Sequence, residues 1–187
     1  MTHVVGFTGR KGTGKDTAAE VFIAQGAVGM KFAAPLKAML AVLFRYQGAD
    51  DTMVHRMLEG DLKETPSPFL MGNTPRWAMQ TLGTEWGRGL MGENFWVEIF
   101  RNAAEQYDTV VVSDVRFPNE VDIITEDMGG VVYRVVKANS GSNDQHLSEA
   151  GIDNLQVTGE VLNTALSAGD FQDEIFRLFH AGSENVH

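Results

Sequence analysis

An apolar run, Val4–Thr8, leads into Gly9-Arg10-Lys11-Gly12-Thr13-Gly14-Lys15, and a helix-compatible segment follows from Asp16-Thr17 onward. A strand, a glycine-rich turn and a helix in this order constrain the chain more than any other stretch. Glycine adopts the left-handed backbone that lets several N–H groups point inward, and it lets main chain approach an anion closely. A lysine at the loop's end adds a compact, mobile positive charge. The pattern is that of a phosphate-binding loop, whose amides wrap the β-phosphate of a nucleotide while the lysine reaches the β- and γ-phosphates. Gly9, Lys11, Gly12, Thr13, Gly14, Lys15, Asp16 and Thr17 are therefore candidate phosphate contacts. A chance glycine-rich turn is disfavoured by the strand before it and the helix after it. One position departs from the usual G-x-x-x-x-G-K-[ST] form: Asp16 stands at the hydroxyl position and the hydroxyl follows at Thr17.

Composition narrows the classes that can host such a loop. The 187 residues suit one domain, and 43% hydrophobic with 21% charged residues suits a packed core. No cysteine is present, which excludes a disulfide scaffold and a thiolate zinc site. No apolar run reaches the roughly 18 residues that a membrane span needs. No basic stretch precedes the first strand, so no secretory signal is expected, and a cytoplasmic location (the host's, if the chain is viral) follows. A net charge of −10 argues against a nucleic-acid-coating surface. It leaves room for a small anionic ligand held by a few convergent cations.

Apolar runs alternate with helical patterns, which points to an α/β domain with a parallel sheet. Strands are expected at Val4–Thr8, Gly29–Phe32, Thr109–Ser113, Val131–Val136 and Glu160–Leu162. The run Val110-Val111-Val112 does not alternate, as befits a central strand covered on both faces. Helices are expected at Lys15–Gln25, Pro35–Phe44, Asp51–Leu58, Thr74–Arg88 (Thr74 as N-cap), Asn94–Gln106, Asn119–Met128 and Asp170–Phe179. Gly60–Asn73 reads as irregular. Residues 137–150 are small, polar and glycine-containing, which reads as a mobile loop, and the tail from Ala181 reads as frayed. Leu40, Leu43 and Phe44 are read as either core or a homodimer interface.

Three further stretches carry candidate chemistry. Val112-Ser113-Asp114-Val115-Arg116 ends an apolar strand in an acid. Ligands of parallel sheets bind beyond the strands' carboxyl ends, which would set Asp114 beside the loop to organise Mg²⁺ through water. Arg116 is a phosphate-binding candidate; its alternative is a surface pair with Glu120. On the helix from Thr74, residues Arg76, Gln80, Thr84 and Arg88 recur every four residues as a polar stripe. Arg suits a phosphate and Gln suits a base edge, although a solvated helix face explains the spacing as well. The loop after Lys137 reaches His146 and suits a lid over phosphates. A Ser-His-Asp hydrolase is excluded by the absence of a Gly-x-Ser-x-Gly elbow.

Taken in order, Gly9–Thr17, Thr74–Arg88 with Phe95-Trp96, Ser113-Asp114-Val115-Arg116-Phe117-Pro118-Asn119-Glu120 and His146-Leu147-Ser148-Glu149 resemble the bacteriophage deoxynucleoside monophosphate kinases. The Gly-Lys-Asp-Thr run also resembles the Gly-Lys-x-Thr of many nucleoside monophosphate kinases. The resemblance implies a three-layer P-loop kinase fold: a central, mostly parallel sheet of about five strands flanked by helices. It implies one domain over 1–187, with a mobile monophosphate-binding region at about 45–90 and a lid at about 137–150. It implies ATP and Mg²⁺ as cofactors, a deoxynucleoside monophosphate (dNMP) as acceptor, and no nucleic-acid or membrane partner. In that scheme Lys15 and the loop amides hold the ATP phosphates. Lys15, Asp114 and Arg116 serve the transferring phosphate. Arg76, Gln80, Thr84, Arg88 and Trp96 serve the dNMP, Lys137 and His146 belong to the lid, and Asp16 and Asp114 hold metal through water. The lid carries no Arg, so Arg10 or Lys11 would help neutralise transition-state charge. Two other readings stay open: a P-loop kinase for another small acceptor, such as dephospho-coenzyme A, and a non-kinase ATP-binding regulatory protein.

Overall fold

The computed structural model describes residues 2–137, 151–164 and 167–180. Along the chain they form β1 (His3–Thr8), α1 (Lys15–Ala24), β2 (Val28–Met30), α2 (Ala34–Tyr46), α3 (Asp51–Leu58), α4 (Pro75–Thr81) and α5 (Phe95–Ala104). These are followed by β3 (Thr109–Val112), α6 (Pro118–Asp122), β4 (Val131–Lys137), β5 (Gly159–Asn163) and α7 (Ala168–His180). Two helices continue with a wider hydrogen-bonding pattern: α4 runs on as a π-helix over Leu82–Met91, and α6 over Ile123–Asp127. Packing divides the chain into two compact units, one of Met1–Lys31 with Phe100–His187 and one of Phe32–Ile99.

The first unit is built on a five-stranded sheet in the order β2-β3-β1-β4-β5, with every pairing parallel. Val4 pairs with Val110 and Gly6 with Val112, so the strand that feeds the glycine loop lies at the centre of the sheet. Val110, Val111 and Val112 are all buried, as a non-alternating run between two helix layers requires. On one face Phe7, Val111, Val135 and Val161 pack with Ala18 and Val21 of α1 and with Phe171 and Ile175 of α7. Phe179 adds edge-on ring contacts with Phe22 and Tyr133 to this layer. On the other face Gly6 has no room for a side chain. A Cβ there would meet Ile124 of the α6 extension at 3.1 Å and Val115 at 3.2 Å. Helices thus cover both faces, giving the expected three layers of an α/β P-loop kinase fold.

The second unit is helical. Leu36, Leu40 and Phe44 of α2, Val54, Met57 and Leu58 of α3, Met79 of α4 and Trp96 of α5 form its core. Helix starts follow their capping chemistry. Asp50 accepts from the Met53 N–H at 2.7 Å, and Thr74, the predicted N-cap, accepts from the Trp77 N–H at 3.1 Å. Of the three residues read as core or interface, Leu40 and Phe44 are core, while Leu43 is exposed alongside Met39, Val42 and Tyr46. The segment between α3 and α4 is irregular apart from one short 3₁₀ turn at Pro68–Leu70, as its proline and glycine content predicts.

Candidate active site

The loop between β1 and α1 has the backbone that its glycines were expected to supply. Gly9, Gly12 and Gly14 take φ of 139°, 78° and 107°. At Gly9 a Cβ would lie 2.5 Å from the Val135 carbonyl oxygen, and at Gly14 it would lie 2.8 Å from Asn163 Nδ2. Both positions combine a left-handed backbone with close neighbours, so glycine is required twice over. Thr13 is buried and its hydroxyl donates to the Arg10 carbonyl at 3.0 Å. Lys15 Nζ donates to that same carbonyl at 2.8 Å, which folds the ammonium over the loop. Lys11 and Gly12 are exposed at the loop's tip. Two residues that the sequence did not mark anchor the loop from outside. Asn163, at the end of β5, donates to the Thr13 carbonyl at 2.9 Å. Asp153 pairs with Arg10 at 2.6 Å, so Arg10 already has an anionic partner.

The loop and the end of β3 come together through Asp16. Ser113 Oγ donates to Asp16 Oδ1 at 2.7 Å, and Lys31 Nζ, just past β2, reaches the same oxygen at 2.9 Å. Asp16 Oδ2 takes no hydrogen bond among the described residues. Partial burial opposes ionisation of Asp16. The Ser113 hydroxyl and the Lys31 ammonium, helped by the charge on Lys15, outweigh it and hold the carboxyl below its usual range. Asp114 follows Ser113 and is half-buried, and the Val115 N–H donates to the Phe7 carbonyl at 3.3 Å. Asp114 is therefore held at the carboxyl end of β1, where the strand-end rule put it. Thr17 is half-buried in the first turn of α1.

Arg116 is exposed, and its guanidinium makes no hydrogen bond or ion pair to a described residue. The alternative of a side-chain pair with Glu120 does not hold. Glu120 is buried, and its Oε2 accepts from the backbone N–H groups of Arg116 at 2.7 Å and Phe117 at 3.2 Å. A carboxylate at the third position of α6 thereby satisfies amides that the helix start leaves unpaired.

In the helical unit, Arg76 Nε pairs with Glu64 at 2.8 Å. Gln80 and Thr84 are exposed. Arg88 reaches the Glu93 carbonyl at 3.5 Å. Trp96 is buried; its indole donates to the Gly83 carbonyl at 2.9 Å and packs against Trp86 and Phe95. That placement makes it a core residue of this unit. Lys137 closes β4 and is exposed. His146 and the rest of the expected lid, 138–150, lie outside the described residues, as does the tail expected to fray.

The oxygen chemistry fits Mg²⁺ of the kind that keeps most of its water. Asp16 and Asp114 are the candidate carboxylates, and no group of three or more metal-ligating acids or histidines occurs among the described residues. An ion there would rest on one or two carboxylates, water and the phosphates of a bound nucleotide. No helix among the described residues is long and apolar enough to cross a membrane.

The family model and the curated relatives agree on one family. The family model described as deoxynucleotide monophosphate kinase matches residues 71–166. A protein of Acanthamoeba polyphaga mimivirus, provisionally named a deoxynucleotide monophosphate kinase, is 31% identical over 186 residues, covering 92% of this chain and 93% of the relative. The deoxynucleoside-5′-monophosphate kinase of Escherichia phage T5 is 33% identical over 111 residues, which are 55% of this chain and 44% of the phage protein. Among solved structures, a dephospho-CoA kinase from Campylobacter jejuni superposes with a TM-score of 0.49 at 15% identity, over 96% of this chain and 97% of that one.

Proposed function

The chain belongs to the deoxynucleotide monophosphate kinase family, and on that premise we propose that it transfers the γ-phosphoryl group of ATP to deoxynucleoside 5′-monophosphates. The observation that carries this reading is the glycine loop at the end of the central strand, with its left-handed backbone at Gly9, Gly12 and Gly14 and with Lys15 folded over it. The acceptor needs no protein nucleophile. A phosphate oxygen of the monophosphate, already anionic near neutral pH, attacks the γ-phosphorus. The bond from that phosphorus to the β-bridging oxygen breaks, and ADP leaves with the electron pair. The protein's part is alignment and charge.

In this reading the amides of Gly9–Gly14, that of Thr13 among them, and the Thr17 hydroxyl cradle the ATP phosphates. Lys15 exchanges the Arg10 carbonyl for phosphate oxygens. Arg116, exposed beside the loop's strand, meets charge as it develops on the transferring group. Asp16 and Asp114 would hold Mg²⁺ through water, and the ion would supply positive charge against the phosphates. Arg76, Gln80, Thr84 and Arg88 serve the monophosphate. Lys137 and His146 stay with the lid in this proposal, and Trp96 acts on the base only through the walls it supports. The relatives come from viruses, which suits work in a host's cytoplasm on free nucleotides rather than nucleic acid. A homodimer is part of the proposal only through exposed residues such as Leu43.

The test is transfer of labelled phosphate. With γ-labelled ATP and a dNMP, label should appear in the deoxynucleoside diphosphate, and Lys15→Ala should lower the rate by about a thousandfold or more while the variant still melts cooperatively. Label released only as inorganic phosphate, or a folded Lys15→Ala variant of near-normal rate, would contradict the proposal.

A further inference from the structure

The helical unit contains a cluster of cations that the sequence did not bring together. Lys37 lies on α2, Lys63 in the irregular segment after α3, and Arg76 in the first turn of α4. Contacts link them one to the next. Lys37 Nζ holds both carboxylate oxygens of Glu59, at 2.7 and 2.8 Å. The Lys63 N–H donates to the Gly60 carbonyl at 3.4 Å, beside Glu59. The Arg76 N–H donates to the Lys63 carbonyl at 2.9 Å, and the Arg76 guanidinium pairs with Glu64. Lys37 and Arg76 thus each have a carboxylate. The half-buried Lys63 has none: its ammonium makes no hydrogen bond or ion pair with a described residue.

We propose that Lys63, together with Lys37 and Arg76, forms the seat for the acceptor's 5′-phosphate, with Glu59 and Glu64 as built-in counterions that yield to it. The inference rests on the kinase reading and adds to it the residues that set affinity for a dianionic phosphate. A dianion suits the cluster better than another carboxylate would, because three cations face only two acids. Phosphate oxygens also supply acceptors for an ammonium donor and a guanidinium fork together. The electrostatics agree. Burial and the positive charges of Lys37 and Arg76 push the Lys63 ammonium below the usual lysine range, against the opposing pull of Glu59 and Glu64. A bound dianion would relieve that repulsion. Glu64 is the more accessible acid, with 67% of its side chain exposed against 46% for Glu59, so it is the counterion more readily displaced.

The test measures steady-state kinetics with the best dNMP acceptor for the wild type, Lys63→Gln and Glu64→Gln. Lys63→Gln should raise the dNMP KM by about tenfold or more, with the ATP KM and kcat little changed. Glu64→Gln should lower the dNMP KM severalfold, an effect that a purely structural role for the pair would not produce. A folded Lys63→Gln variant with a dNMP KM within about twofold of wild type, or a Glu64→Gln variant with an unchanged or raised KM, overturns the proposal. Should Lys63→Gln fail to melt cooperatively, the Glu64→Gln result decides alone. Should the wild type phosphorylate no dNMP, the kinase reading fails by itself. The anion seat is then judged by titrating inorganic phosphate into Lys15→Ala protein, in which the glycine loop is silenced. Binding that weakens on adding Lys63→Gln supports the seat, and binding that does not change overturns it.

Discussion

Asp16 stands where the common phosphate loop places a hydroxyl, and Ser113 brings a hydroxyl to it from the end of β3. The carboxylate has two partners on one oxygen, and the second oxygen faces no described donor. Its ionisation carries a sign that can be checked. The folded-state pKa lies below the unfolded value, so the contribution of Asp16 to stability is complete above that unfolded value and is lost as pH falls through the folded one. In metal-free buffer, Asp16→Asn should be less stable than wild type at pH 7 by about 1 kcal/mol or less, because the pair is exposed and screened. The gap should close below about pH 4. Thermal melts of both proteins from pH 7 to 3 measure it, and a gap that widens in acid would contradict the assignment. The loop itself was legible in the sequence because phosphate binding imposes glycine and lysine at fixed local spacing. Asn163 and Asp153 were not, since nothing in one sequence couples them to Thr13 and Arg10 across 150 and 143 positions. Lys31 was not legible either, since the expected strand Gly29–Phe32 contained it, whereas β2 ends at Met30 and leaves Lys31 just past its carboxyl end.

The elements were legible further than the side chains that join them. Apolar runs marked all five strands, and a capping residue marked the helix start at Thr74. Hydrogen bonding within the helices was not legible. Thr74–Arg88 and Asn119–Met128 each read as one regular helix, yet both widen to i→i+5 bonding midway, and Gly92 N–H donates to the Gly87 carbonyl at 3.1 Å. Tertiary packing decides this, not local propensity. Gly87 is buried with the Trp96 indole so close that a Cβ would overlap it, and the same indole bonds the Gly83 carbonyl. Such widened turns gather at functional sites, and this one carries Thr84 and Arg88. Gly87→Ala should therefore displace Trp96 and cost about 1–3 kcal/mol, despite alanine's better helix propensity. Urea unfolding measures the loss; an unchanged midpoint would mean that the helix tolerates the methyl group.

For the whole chain, sheet order and net charge act at different ranges. The parallel order β2-β3-β1-β4-β5 carries the glycine loop on the central strand and brings the β3 end to it through Ser113. The helical unit enters the chain between β2 and β3 and holds Lys37, Lys63 and Arg76. A protein with net charge −10 then presents cations to phosphate only where they converge locally, so added salt should weaken substrate binding less than it would for a basic surface. Family and fold were readable because four separated motifs agree. Base preference was not, because it depends on walls that spacing does not describe. The most direct measurement is ADP release from ATP against a panel of acceptors: dAMP, dGMP, dCMP, dTMP, the matching ribonucleotides and dephospho-coenzyme A. ADP release should be stimulated by at least one deoxynucleoside monophosphate and not by dephospho-coenzyme A. Release stimulated by dephospho-coenzyme A alone, or by no acceptor, would contradict the proposed function.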